Sequence, residues 1–331
     1  MAWRWARVAL LGGLWVAACG DDDGGSIPPD AARPVDAGLP DAAPADAALR
    51  EGLWYLMDTI AVPETADDAR MVALDLDGDG APDNALGGLL AALHNSADVP
   101  VAAVQMQAVE SGQILQLLGI DAASLDDAAS VPVLVSRGVD LDGDPADNVS
   151  GAEPFALDPL EGADGQLTGV LVAGRLRAGP GTAPIQLAMF GVTPEVIALP
   201  GVGARIRVAA ATTDGLAGGR SCGALTEGDV DAALIPAMAR AVDSIVQRDC
   251  DGATCAPDSQ GAELATFFDD NSDGMVPEAE FRANSLIEST IGNPDLDLFD
   301  ADGAFNPRVD GVKDSLSLCL GFTAVRARAY Q

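Results

Sequence analysis

Asp269, Asn271, Asp273 and Glu280 stand at places one, three, five and twelve of a short segment, with Gly274 at place six. Side-chain oxygens at alternate residues converge when the backbone between them turns tightly, and a glycine permits that turn at its sharpest point. A more distant glutamate then closes the cage with both carboxylate oxygens, which is coordination suited to a hard cation such as calcium.

Such a loop needs an element on each side to hold its ends. "AELATFF" before it and "FRANSLI" after it have the composition of an entering and an exiting helix, with Phe268 and Phe281 flanking the loop. On these residues the segment resembles the EF-hand calcium-binding family over about 30 residues. The resemblance implies Ca2+ held by Asp269, Asn271, Asp273, Glu280 and the backbone carbonyl of Met275. It places Val276 where paired loops of that family meet as short strands. Pro277 has no side-chain ligand to offer at the ninth place, where a water often serves.

A second segment, "DLDGDGAPDN" from Asp75 to Asn84, resembles the aspartate loops of thrombospondin type 3 repeats and, more loosely, dockerins. That resemblance implies ligation by Asp75, Asp77, Asp79, Asp83 and the carbonyl of Ala81, around Gly80. Leu86 occupies the place of the closing glutamate. The alternative is that these oxygens cap the helix that follows, where Leu86, Leu89, Leu90 and Leu93 form an apolar stripe. "DLDGDPADN", residues 140–148, nearly repeats the motif with one residue fewer and Pro145 at the turn, so a degenerate site and a polar turn are both open. The Asp-rich segment 300–314 fits no ligand template.

The chain has 331 residues, 18 basic and 51 acidic, a formal net charge of -33. Such a polyanion repels nucleic acid and concentrates cations near its surface. Aromatic residues make up 4% of a composition that is 48% hydrophobic, so the core must be built largely from Ala, Val, Leu and Ile.

Arg4 and Arg7 followed by the apolar run Val8 to Ala18 predict a signal peptide over residues 1–18. Val16-Ala17-Ala18-Cys19 resembles the lipobox of bacterial lipoproteins, which implies a lipidated Cys19 and a membrane anchor in the cell envelope. Gly20 follows the cysteine, which favours the outer membrane. Residues 19–48, rich in Asp, Pro and Ala, predict a disordered tether. Cys222, Cys250, Cys255 and Cys319 remain, and an even count in an exported chain predicts two disulfides. The favoured pairing is Cys250 with Cys255 and Cys222 with Cys319.

Strands are expected at residues 53–62, 113–120, 131–139, 166–177, 185–190 and 204–211, with a closing strand over 314–325. Apolar residues from Val230 to Val246 recur at three-and-four spacing, predicting a helix capped by Thr226 and kinked at Pro236. The expected fold is α+β: an antiparallel β-rich sheet or sandwich with packed helices over 49–250, then an EF-hand-like segment and closing strand over 251–331. "GRSCG" around Ser221 matches a hydrolase nucleophile motif, but the sole histidine, His94, precedes it in the chain, contrary to that family's order. The leading expectation is a non-enzymatic, lipid-anchored calcium-binding protein. A calcium-dependent module recognising a surface glycan or protein is the alternative, and a hydrolase using Ser221 is third.

Overall fold

Alternation of inward apolar and outward polar residues builds most of the molecule. The structure, a computed structural model, describes residues 50–330 except 98, 123 and 152. The signal peptide, Cys19 and the tether expected from the sequence lie outside the described residues. In chain order the first elements are β1 (Leu53–Ala61), α1 (Ala66–Val72), α2 (Ala85–Ala97) and α3 (Val101–Glu110). Next come β2 (Gln116–Ile120), β3 (Ala128–Asp140), β4 (Pro154–Asp158), β5 (Gln166–Val172), β6 (Arg175–Ala178), β7 (Thr182–Met189), β8 (Glu195–Ala211) and β9 (Gly215–Thr226). The chain continues through α4 (Glu227–Asp229), a π-helical stretch (Val230–Leu234), α5 (Ile235–Asp249), and the short hairpin β10 (Cys250–Asp251) and β11 (Thr254–Cys255). It ends with α6 (Gln260–Phe268), α7 (Glu278–Ala283), α8 (Ser285–Ile291) and β12 (Ser315–Tyr330).

The fold is α+β, and ten of these strands form one sheet rather than two stacked ones. Hydrogen bonding runs antiparallel from β1 through β2, β3, β5, β6, β8, β9 and β12, and from β12 back to β1. The pairing therefore closes on itself. β4 lies beside β12 in parallel and β3 in antiparallel, and β7 extends from β8. The last strand of the chain thus sits between β1 and β9, so the ring cannot close without it.

Along β12, Leu316, Leu318, Leu320 and Phe322 face the main core as their spacing predicts. On α5, Met238, Ala241, Val242, Ile245 and Val246 join the same core, and burying each of the larger side chains among them, Met, Val and Ile, is worth about 1.5–3 kcal/mol relative to exposure. Thr226 accepts a hydrogen bond from the Asp229 N–H, as a cap should. Pro236 follows the π-helical stretch, where the helix has already changed its hydrogen-bond pattern.

Residues 166–177 form a hairpin, not the single expected strand. Ala173 and Gly174 both have positive φ, 51° and 70°, the conformation of a two-residue turn that folds β5 onto β6. β9 lies outside the expected strands, since its glycines leave it without an apolar alternation. Gly219 faces the Phe322 ring, and a Cβ there would lie 2.5 Å from it. Both expected disulfides are present: Cys222–Cys319 links β9 to β12 at directly opposed positions, and Cys250–Cys255 closes the β10–β11 hairpin.

Candidate metal centre

Between α1 and α2 the chain from Asp75 to Asn84 folds by aspartates accepting backbone N–H groups ahead of them. Asp75 Oδ1 accepts from Gly78 at 2.6 Å, Asp77 Oδ1 from Asp79 at 3.0 Å and Asp79 Oδ1 from Ala81 at 2.6 Å. Asp83 Oδ2 reaches back to accept the Leu76 N–H at 2.7 Å. These bonds shape the turn and leave lone pairs over for a cation. The carboxylates of Asp75, Asp77 and Asp83 come within 4.8 Å of one another, and Asp77 and Asp83 are buried. Asp79 lies outside this triad. Burial pushes the Asp83 carboxyl up to about 6, helped by the charges of Asp77, Asp295 and Asp79. Lys313 Nζ, 3.4 Å from Asp77 Oδ2, is the ion-pair partner in the group.

Neighbouring elements fix this loop. Leu76 is fully buried with the Cys222–Cys319 disulfide, Leu296 and Leu298 in a small core of its own. Asn84 Oδ1 accepts the Cys319 N–H at 2.7 Å and also the Gly87 N–H that opens α2, so capping and loop anchoring share one amide. Arg308 Nη1 donates to the Gly78 carbonyl, which brings the segment 300–314 against the loop. Within that segment Asp300 Oδ1 accepts from Asp302 and Ala304, each at 3.0 Å.

The shortened repeat at 140–148 keeps the same ladder. Asp140 Oδ1 accepts from Asp142, Asp142 Oδ1 from Asp144, and Asp144 Oδ1 from Ala146. A residue that the sequence did not point to completes the group: Glu153 comes within 4.8 Å of the Asp140 and Asp142 carboxylates. Burial, then the charges of Asp147, Asp142 and Asp140, push the Glu153 carboxyl up to about 7. Only its place beyond the loop, outside any template, kept it from view.

At 269–280 the EF-hand-like loop lies between α6 and α7 as expected, with Phe268 and Phe281 buried and stacked at 5.1 Å. Asp269 accepts the N–H groups of Asp273 and Gly274, and Asp273 accepts that of Met275. Gly274 has φ +80°, and a Cβ there would meet the Gly252 carbonyl at the tip of the β10–β11 hairpin, so glycine is required twice over. The Val276 N–H donates to Asp243 Oδ1 on α5 at 2.8 Å, so a helix of the main domain fills the place of a partner loop. In a trans peptide the carbonyl points opposite to the N–H, so this bond turns the Met275 carbonyl away from α5.

Asp269, Asp273 and Glu280 form no third convergent triad among the described residues. The Asn271 amide lies between, with Nδ2 donating to Glu280 Oε1 at 2.5 Å. Glu280 Oε2 is buried without a hydrogen-bond partner, and burial followed by Asp269, Asp273 and Asp270 pushes its carboxyl upward. A divalent cation would supply the missing partner of this one oxygen, while the carboxylates of Asp269, Asp273 and Glu280 do not converge as those of Asp75, Asp77 and Asp83 do.

Comparison with protein-family models, curated proteins and solved structures gives no match to this chain. Ser221 lies within β9, opposite Leu320 and Ile206, rather than on the sharp strand-to-helix turn that a hydrolase nucleophile occupies. His94 Nδ1 is 3.0 Å from the Val99 carbonyl, a local link at the end of α2.

Proposed function

We propose that the chain is a calcium-binding protein of the cell envelope, anchored through lipidated Cys19, in which calcium staples acidic loops to a β-rich body. The convergence of Asp75, Asp77 and Asp83 carries this reading, because Lys313 pairs with Asp77 alone among them, and a cation held by all three would relieve the burial and repulsion that push the Asp83 carboxyl up to about 6. The triad of Asp140, Asp142 and Glu153 and the unpartnered Glu280 oxygen support it independently. Bound calcium would supply charge neutralisation and cross-linking of loop oxygens. Asp75, Asp77, Asp79, Asp83 and the Ala81 carbonyl would hold one ion, and Asp269, Asn271, Asp273, Glu280 and the Met275 carbonyl another. Extracellular modules bind at about 0.1–1 mM, so these sites act as constitutive staples rather than sensors.

Calorimetric titration of the chelator-stripped protein tests the reading. Calcium is expected to bind in more than one phase, with Asp77→Asn weakening one and Glu280→Gln another. Absence of calcium heat, or binding untouched by both variants, contradicts it. For the anchor, Cys19→Ser is expected to move the protein from the membrane pellet to the supernatant, and continued pelleting refutes that assignment.

A further inference from the structure

The few cations of this acidic chain are unevenly placed. Arg175 and Arg177 on β6 and Arg205 and Arg207 on β8 alternate with the buried Leu176, Ala178, Ile206 and Val208, so all four belong to the outward face of the sheet. Register sets Arg177 directly opposite Arg207, and Arg207 directly opposite the exposed Arg220 of β9. With adjacent strands about 4.8 Å apart, the three form a row about 10 Å long at the backbone.

Among the described residues no carboxylate is ion-paired with this row. Six other cations among the described residues are ion-paired with Asp or Glu, but Arg175, Arg177, Arg207 and Arg220 are in none of those pairs. Arg205 turns aside and donates from Nη2 to the Leu76 carbonyl at 3.1 Å. Burial, then the charges of Arg177 and Arg205, push the Arg207 guanidinium below the usual arginine range. Like charges directly opposed across strands are destabilising. In a chain with 51 acidic residues, an arginine row with no ion pair among the described residues is a costly arrangement that an anionic ligand would relieve.

We propose that the Arg177–Arg207–Arg220 row binds a slender anionic glycan carrying carboxylates at intervals of about 5 Å, the spacing of the strands beneath. Each guanidinium can grip a carboxylate through two parallel N–H donors. Val170 and Val172 on β5, opposite Arg177 and Arg175 and 41% and 54% exposed, extend the face as an apolar strip against which a sugar ring can lie. Duplex nucleic acid fits the row less well, because its charges lie about 1.7 Å apart along the axis, far denser than the strand spacing, and repulsion by a surface of net charge -33 grows with ligand charge.

The probe is an oligogalacturonate, titrated into the protein in chelator so that calcium cannot bridge the two and the outcome is independent of the calcium reading. The wild type is expected to bind it, more weakly as salt rises, and to ignore a neutral oligosaccharide of equal length. The triple variant Arg177→Gln, Arg207→Gln, Arg220→Gln is expected to lose at least tenfold in affinity while its melting temperature stays level or rises, since the opposed charges are gone. The single variant Arg220→Gln, at an exposed position, should lose part of the affinity and guards against a folding defect in the triple. Absent binding, unchanged affinity in the variants, or stronger binding to a single-stranded oligonucleotide or to anionic phospholipid vesicles overturns the proposal.

Discussion

Aspartates of these loops use their two oxygens differently: Asp75 gives both to backbone N–H groups, of Gly78 and Gly80, whereas Asp77 divides them. Asp77 spends Oδ1 on the Asp79 N–H and presents Oδ2 toward Lys313, so a single side chain both shapes the loop and meets a cation. Alternation of Asp with small residues made Asp75, Asp77 and Asp83 legible in the sequence, because local turns depend on spacing alone. Glu153 was not legible, since only the path of the chain into β4 carries it back to Asp140 and Asp142. Its raised carboxyl, near 7 against an ordinary 4.5, has a consequence for pH. In chelator the native state holds this proton where the unfolded chain has released it, so stability falls as pH rises from about 4.5 to about 7. Glu153→Gln is expected to flatten that fall, leaving the part due to the other raised carboxyls, Asp83 at about 6 together with Asp140 and Glu280. Denaturant unfolding at several pH values measures it, and parallel slopes for the two proteins contradict the assignment.

At the scale of elements, loops are held from below as much as by their own oxygens. Leu76, between two ligand candidates, points into the small core around Cys222–Cys319, so truncating it loosens the loop without removing a charge. Leu76→Ala is expected to cost about 2–5 kcal/mol in denaturant unfolding and to weaken only the calcium phase assigned to residues 75–83. If the phase assigned to 269–280 weakens equally, the loops are not separately anchored. The alternating stretches of β8 and β12 and the continuous apolar run of β1 were visible in the sequence. The β5–β6 turn was not, because Ala173 adopts a left-handed conformation that its residue type does not advertise. The ring closure was equally hidden. It depends on pairings such as Trp54 with Ala327, which only the folded chain brings together.

For the whole molecule, a closed ring of strands carries a net charge of -33, and that charge must be reconciled with compactness. Monovalent salt can screen it, whereas only a divalent cation held in a cage binds the folded chain in preference to the unfolded one. Thermal unfolding of the chelator-stripped protein in calcium and in magnesium, repeated for Glu280→Gln, separates these possibilities. At 10 mM calcium and an affinity of about 0.1 mM, each site adds about 2.7 kcal/mol. The account predicts a large rise in melting temperature with calcium, a smaller one with magnesium, which demands a tighter octahedron, and a reduced calcium response in Glu280→Gln. Equal responses to the two metals, unchanged in the variant, would show that cations merely screen the surface charge and that no calcium cage exists.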